Sequence, residues 1–90
     1  MPTTSSQPTE KSWFVYLIRT RTKTLYCGIT NDLERRFEQH QTGKGAKYLR
    51  GKGPLSLVWS QQVADKSAAI KEEIRIKKLS KAAKESFITQ

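Results

Sequence analysis

Residues 13–19 read WFVYLIR, and the other predicted elements are arranged around this stretch. It is rich in aromatic and β-branched side chains, and both alternating sets of positions are apolar until Arg19. A strand with two apolar faces must be covered on both sides, so the stretch predicts the central strand of a sheet. Residues 25–30, LYCGIT, predict a second strand after the turn TRTKT. So short a connection favours an antiparallel hairpin over a crossover.

The remaining chain predicts helices and one more strand. Residues 32–41, DLERRFEQHQ, follow Asn31, a favourable N-cap, and predict a helix that ends near Gly43. Residues 42–54 combine glycines with basic residues and predict a long ordered loop or a short helical turn. Three further elements follow: a strand over residues 55–63, a helix from Asp65 or Ser67 to about Leu79, and a short helix after Ser80. The expected fold class is α+β, a small three-stranded antiparallel sheet flanked by helices.

Length, charge and cysteine content limit the possible functions. Ninety residues allow one small domain, residues 13–90, after a polar tail over residues 1–12 that we expect to be disordered. Lys and Arg number 17 against 8 Asp and Glu, and this net charge of +9 favours a nucleic-acid partner over a merely solubilising surface.

The single Cys27 excludes an internal disulfide and a cysteine-based zinc site. No apolar run has the length of a membrane span, so we expect no membrane association and a cytoplasmic protein.

Helical geometry separates candidate polar residues from their like-charged neighbours. At about 100° per residue, Arg36 and His40 flank the apolar stripe of the first predicted helix, whereas Arg35 points away from it. On the later helix, Glu73 lies within the apolar arc, whereas Glu72 faces solvent. Arg36 and Glu73 are therefore the members of each pair that we expect to face the domain.

The order of these features resembles the GIY-YIG nuclease superfamily. A tyrosine in the first strand, within VYL, is followed ten residues later by a Tyr-x-Gly motif, YCG, then by an arginine and a histidine on a helix, then by a glutamate. The matching positions are Tyr16, Tyr26, Gly28, Arg36, His40 and Glu73. The segment TNDLERR and the glycine-rich segment extend the resemblance over residues 13 to about 88. Within the superfamily, the chain most resembles small stand-alone bacterial members and endonucleases that cut branched DNA.

The resemblance implies a metal-dependent endonuclease that hydrolyses DNA phosphodiester bonds, directed by DNA structure with little sequence specificity, as in DNA repair. The implied catalytic residues are Tyr16, Tyr26, Arg36, His40 and Glu73, with Mg²⁺ or Mn²⁺ on Glu73. This hydrolysis needs a deprotonated water, positive charge that stabilises the phosphate in the transition state, and stabilisation of the leaving oxygen. The Arg36 guanidinium can neutralise the phosphate through two parallel hydrogen bonds. Either Tyr16 or Tyr26 suits the transfer of the water's proton.

Contacts to DNA outside the site are expected from the glycine-rich basic segment. The candidates are Lys44, Lys47, Tyr48, Arg50 and Lys52, with the Tyr48 ring available to stack on an unpaired base. Two other functions remain open. One is a non-catalytic nucleic-acid-binding module that keeps the fold, and the other is a basic protein-interaction domain. A protein partner that supplies DNA targeting is compatible with the nuclease.

The pairing of the hairpin tests whether the two tyrosines belong to one site. Side chains alternate along a strand, so residues directly opposite each other share a face. If Tyr16 and Tyr26 share a face, paired residues must have numbers with an even sum, as with Ile18 opposite Tyr26.

Overall fold

The computed structural model describes residues 12–89, so the predicted tail lies outside the described residues except for Ser12. A sheet of three strands carries three α-helices and one 3₁₀ turn. In chain order the elements are β1 (Trp13–Arg19), β2 (Leu25–Thr30), α1 (Leu33–Gln41), the 3₁₀ turn (Lys47–Leu49), β3 (Ser56–Val63), α2 (Lys66–Lys77) and α3 (Lys81–Thr89). The expected α+β class with a three-stranded antiparallel sheet is confirmed.

The sheet has the order β2-β1-β3, and both strand pairs are antiparallel. β1 is therefore the central strand, as its apolar sequence predicts. In the hairpin, Tyr16 lies opposite Gly28 and Ile18 lies opposite Tyr26. These numbers have even sums, so Tyr16 and Tyr26 share one face of the sheet and the register prediction is confirmed.

Apolar side chains cover the sheet on both faces. On the face that carries the odd-numbered residues of β1, α2 and α3 form a core whose buried members are Val15, Leu17, Cys27, Ala69 and Ile76. On the face that carries the two tyrosines, α1 and the segment after it form a second core, in which Leu33 and Phe37 pack against Tyr16, Ile18, Leu49 and Leu55. The first helix and the second helix therefore lie on opposite sides of the sheet.

The first helix starts at its acidic cap. The Asp32 carboxylate accepts a hydrogen bond from the Arg35 backbone N–H at 3.2 Å. The prediction of Asn31 as the N-cap was wrong by one residue, because the helix begins at Leu33 and the cap position falls on a carboxylate that also complements the helix dipole. The helix ends before Gly43, whose φ of +82° suits a glycine.

The other two helices are capped by side-chain oxygens as well. The Asp65 carboxylate accepts from the Ala68 N–H at 2.8 Å, which decides between Asp65 and Ser67 as the N-cap of α2. The Ser80 hydroxyl accepts from the Ala83 N–H at 3.1 Å at the start of α3. Within residues 12–89, no helix is long and apolar enough to cross a membrane.

Two contacts hold α3 against the sheet. The Arg19 guanidinium donates to both oxygens of Glu85, at 2.8 and 2.7 Å. The rings of Trp59 and Phe87 pack at a centroid distance of 5.3 Å. The last helix is therefore attached to both β1 and β3.

Candidate functional site

Two buried side chains form the centre of the candidate site. Tyr16 and His40 are 1% and 2% exposed, and the Tyr16 hydroxyl lies 2.8 Å from His40 Nε2. The Tyr16 ring lies over Gly28, its cross-strand partner, because a Cβ at residue 28 would come within 2.6 Å of Tyr16 Cζ. Gly28, the glycine of the Tyr-x-Gly motif, thus leaves space for the ring of Tyr16.

The hydrogen bonds of His40 define its tautomer. His40 Nδ1 accepts from the Ala46 backbone N–H at 3.1 Å, so in the neutral ring the proton is on Nε2. Nε2 therefore donates to the Tyr16 oxygen. Gly45 leaves room for this ring, since a Cβ there would lie 2.8 Å from His40 Cε1. Sequence reasoning did not assign Gly45 a role; a glycine five residues after a helix-end histidine was the available signal.

Both buried groups are uncharged at neutral pH. Burial lowers the pKa of His40 below its usual 6.5, and the nearby charge of Arg36 lowers it further. Burial also raises the pKa of Tyr16 to about 12, although the adjacent Arg36 guanidinium opposes this increase by hydrogen bonding and by its charge. The site thus holds a neutral imidazole that donates a hydrogen bond to a neutral phenol.

Tyr26 continues the cluster toward the surface. Its ring centroid lies 5.6 Å from that of His40, in an edge-on arrangement, and 6.5 Å from that of Tyr16. Tyr26 is only half-buried. We call Tyr16, Tyr26 and His40 the aromatic cluster. Tyr26 is its member with access to solvent.

The glycine-rich basic segment packs directly on this cluster. The Tyr48 ring stacks on Tyr26 at a centroid distance of 5.9 Å and an angle of 20°, and is 46% exposed. Lys52 Nζ lies 3.9 Å from the centre of the Tyr48 ring. Arg50 Nε donates to the Gly43 carbonyl at 3.2 Å, so this arginine helps to fix the segment. Lys44 and Lys47 are exposed. The segment is therefore an ordered wall of the candidate site.

Arg36 belongs to the same site, as helical geometry predicted. It is half-buried beside the Tyr16 hydroxyl, and its NH1 donates to Gln39 Oε1 at 3.1 Å. Arg35 is exposed. Arg36 therefore connects the aromatic cluster to the outer side of α1.

Glu73 lies across the sheet from these residues. It projects from α2 with 22% of its side chain exposed, and its carboxylate is 3.3 Å from Lys77 Nζ. Its negative charge adds to the effect of burial in raising the pKa of Cys27 to about 11, so the carboxylate lies toward β2, the edge strand that also carries Tyr26. The structure thus groups Tyr16, Tyr26, Arg36 and His40 on the face covered by α1, whereas Glu73 belongs to α2, which covers the other face.

The donor set available for a metal is correspondingly small. Residues 12–89 contain no group of three or more His, Cys, Asp or Glu side chains that could hold an ion. Mg²⁺ is commonly bound by one or two carboxylates, with substrate phosphates and water completing the octahedron. A single carboxylate at Glu73 fits an ion of that kind and does not fit a preformed protein cage.

Known proteins share both the sequence and the fold. The family profile described as the GIY-YIG catalytic domain matches residues 12–86. A UPF0213 protein of Vibrio cholerae is 66% identical over 77 residues, which are 84% of this chain and 76% of the relative. The UPF0213 protein YhbQ of Escherichia coli is 56% identical over 78 residues, covering 87% and 78%.

A solved structure supports the same relationship. The solution NMR structure of a UPF0213 protein from Bacillus halodurans is 37% identical, has a TM-score of 0.57 and covers 87% of this chain and 83% of that one. The profile match over most of the chain, these relatives and the two tyrosines on one face of the hairpin agree. This chain belongs to the GIY-YIG family.

Proposed function

We propose that this protein is a metal-dependent endonuclease that hydrolyses DNA phosphodiester bonds and recognises DNA structure more than sequence. The observation that carries the proposal is the buried Tyr16–His40 hydrogen bond, with Arg36 and the half-exposed Tyr26 against it. Taken singly, each residue has an ordinary structural explanation. Their convergence beside an exposed basic segment supports a site in which Arg36 and Tyr26 meet DNA, with buried Tyr16 and His40 behind them.

Each residue of the site has a separate role in hydrolysis. Arg36 exchanges its bond with Gln39 for a bidentate contact with the scissile phosphate. Tyr26 meets the attacking water, because it is the more exposed of the two tyrosines, whereas buried Tyr16 supports it from behind. His40 donates to the Tyr16 oxygen through Nε2–H and so favours negative charge on that oxygen. A Mg²⁺ or Mn²⁺ ion, held by Glu73, would supply positive charge to the phosphate oxygens and promote water ionisation.

A cleavage assay with paired variants tests the proposal. Purified protein is incubated with linear, flapped and four-way DNA in the presence of Mg²⁺ or Mn²⁺. Glu73→Ala and Arg36→Ala should lower the rate by about 10²-fold or more, as expected for groups that stabilise transition-state charge. Glu72→Ala is the matched control, because Glu72 pairs with Arg75 on the surface of α2. Cleavage that persists in both Glu73→Ala and Arg36→Ala would mean contamination or a wrongly assigned site.

A second candidate function is a non-catalytic DNA-binding module. The ion pair of Glu73 with Lys77 favours it, because that lysine competes with a metal for the carboxylate. Tight and salt-sensitive DNA binding by wild-type protein, without cleavage under any of these conditions, would establish this function in place of the nuclease.

A further inference from the structure

A groove follows the outer side of α1 and meets the site described above at Arg36 and Lys44. It consists of two adjoining clefts of about 320 and 280 Å³ that share Arg35 and Gln39. The first cleft reaches Trp13, and the second reaches Lys44. The helix beside it has nine residues, so the groove is roughly 15 Å long once the helix caps are included. We call it the α1 groove.

The chemistry of the α1 groove matches that of a nucleotide chain. The half-buried Trp13 indole gives a flat apolar surface at one end, and Lys66 Nζ lies 5.6 Å from its centre. The exposed guanidinium of Arg35 lies in the middle, next to the amide of Gln39. Aromatic rings stack on bases, and guanidinium and amide groups bind phosphates and base edges.

The carboxylates at the groove do not cancel its positive charge. Asp32 and Glu38 line it, but the Asp32 carboxylate is engaged at the N-cap of α1. Against these two stand Arg35, Arg36 and Lys44. The lining therefore keeps a positive excess along its length.

Trp13 is a better place for a base than Tyr48. The Tyr48 ring already stacks on Tyr26 and has Lys52 Nζ over it, so a base there must displace a cation at 3.9 Å. Trp13 lines an open cleft, and its nearest cation is more distant. A base inside a paired duplex cannot reach such a surface, because it is stacked on its neighbours.

We propose that the α1 groove binds an unpaired strand of the DNA substrate, with one base on Trp13 and a phosphate on Arg35. The inference rests on the proposed function and specifies its substrate as DNA with a single-stranded segment beside the cut. Arg36 lines the groove and its guanidinium lies near the Tyr16 hydroxyl, so a strand in the groove leads toward the aromatic cluster.

Fluorescence of Trp13 tests the stacking contact directly. The chain has two tryptophans, and Trp59→Phe leaves Trp13 as the single tryptophan. Without divalent metal, a single-stranded oligonucleotide of about twelve residues, within the usual site size, should quench this emission. A paired duplex of the same length should quench it much less. Equal quenching by both DNAs, or none by the single strand, would overturn the inference.

Binding by variants tests the role of the groove. Trp13→Ala and Arg35→Gln should each weaken single-strand binding by about tenfold, with a much smaller effect on duplex binding. Trp13→Phe keeps a stacking ring and should retain most of the affinity. Lys78→Gln, an equal charge change at the exposed C-cap of α2, should leave it unchanged. Thermal unfolding verifies that each variant is folded, and equal losses on both DNAs for the groove variants would overturn the inference.

Failure of the nuclease and failure of the groove give different results. If Trp13 is quenched selectively by single strands but wild-type protein cuts no DNA, the groove stands and the proposed nuclease function falls. If flapped DNA is cut but Trp13→Ala and Arg35→Gln leave the preference for it unchanged, the nuclease stands and the groove inference falls.

Discussion

At the residue scale, the aromatic cluster depends on Gly28 and Gly45, which leave space for its rings. The sequence pointed to the cluster through its tyrosines, arginine and histidine. The sequence could not show the role of the two glycines, because it depends on contacts between different elements. A Cβ at residue 28 would collide with the Tyr16 ring on the neighbouring strand, and a Cβ at residue 45 would collide with the His40 ring. Periodicity describes one element at a time and gives no such distance.

Gly28→Ala should therefore disrupt the cluster. The added Cβ forces the Tyr16 ring away from His40, and overpacking a well-packed site typically costs about 1–3 kcal/mol. We expect a lower free energy of unfolding in urea and lower cleavage activity. Gly53→Ala is the control, because a Cβ there meets nothing closer than 3.9 Å. Equal stability of wild type and Gly28→Ala would show that the Tyr16 ring moves without cost.

His40 should make the fold sensitive to mild acid. Its pKa is lowered in the folded protein by burial and by Arg36, so the unfolded chain binds a proton more readily. The contribution of His40 to the free energy of unfolding is fully present above the pKa of the unfolded chain, about 6.5. This contribution is lost as the pH falls toward the lower pKa of the folded protein. Protonation of Nδ1 also removes the acceptor for the Ala46 N–H.

The chain has a single histidine, so its ring signals can be followed by NMR without overlap. Their midpoint should lie below pH 6.5. The stability difference between wild type and His40→Gln should shrink from about pH 7.5 to about pH 5.5, on either side of an ordinary histidine pKa. A midpoint at or above the ordinary value would contradict a neutral His40 and the hydrogen-bond direction assigned to Nε2.

At the scale of elements, the two apolar faces of WFVYLIR were enough to predict a central strand, whereas the shared face of the tyrosines follows from the register of the hairpin. The same reasoning placed Glu73 inward on its helix, and it is indeed partly buried. A helical wheel shows the inward side of one helix but not which face of the sheet that helix covers. The placement of Glu73 and Arg36 on opposite faces therefore depends on the packing of α1 and α2, which the sequence of one helix does not contain.

Glu85→Gln should loosen α3 without unfolding the domain. The substitution removes the charge that holds the Arg19 guanidinium, while the packing of Phe87 on Trp59 remains. We expect faster hydrogen exchange in the amides of α3 and little change in α2. Glu72→Gln, which breaks an exposed pair within α2, serves as the control. Unchanged exchange in α3 would mean that apolar packing alone anchors this helix.

At the scale of the whole molecule, the net charge of +9 predicted a polyanionic partner but not its position. The fold places the glycine-rich segment against Tyr26, so Lys44 and Lys47 lie on the same side as the aromatic cluster. Exposed Lys71 lies in α2 and exposed Lys78 at its C-cap, and this helix covers the opposite face of the sheet. The two pairs carry equal charge and differ in their place relative to the site.

Replacing each lysine pair by alanine separates local binding from net charge. The Lys44→Ala/Lys47→Ala protein should bind duplex DNA more weakly for all sequences, and the slope of log K against log salt should flatten by about 0.9 for each phosphate that the protein no longer neutralises. Lys71→Ala/Lys78→Ala removes two charges as well but should change the slope little. Measurement of affinity at several salt concentrations gives both slopes. Equal flattening in the two proteins would mean that DNA responds to the total charge, and the glycine-rich segment would then lose its role as the binding surface.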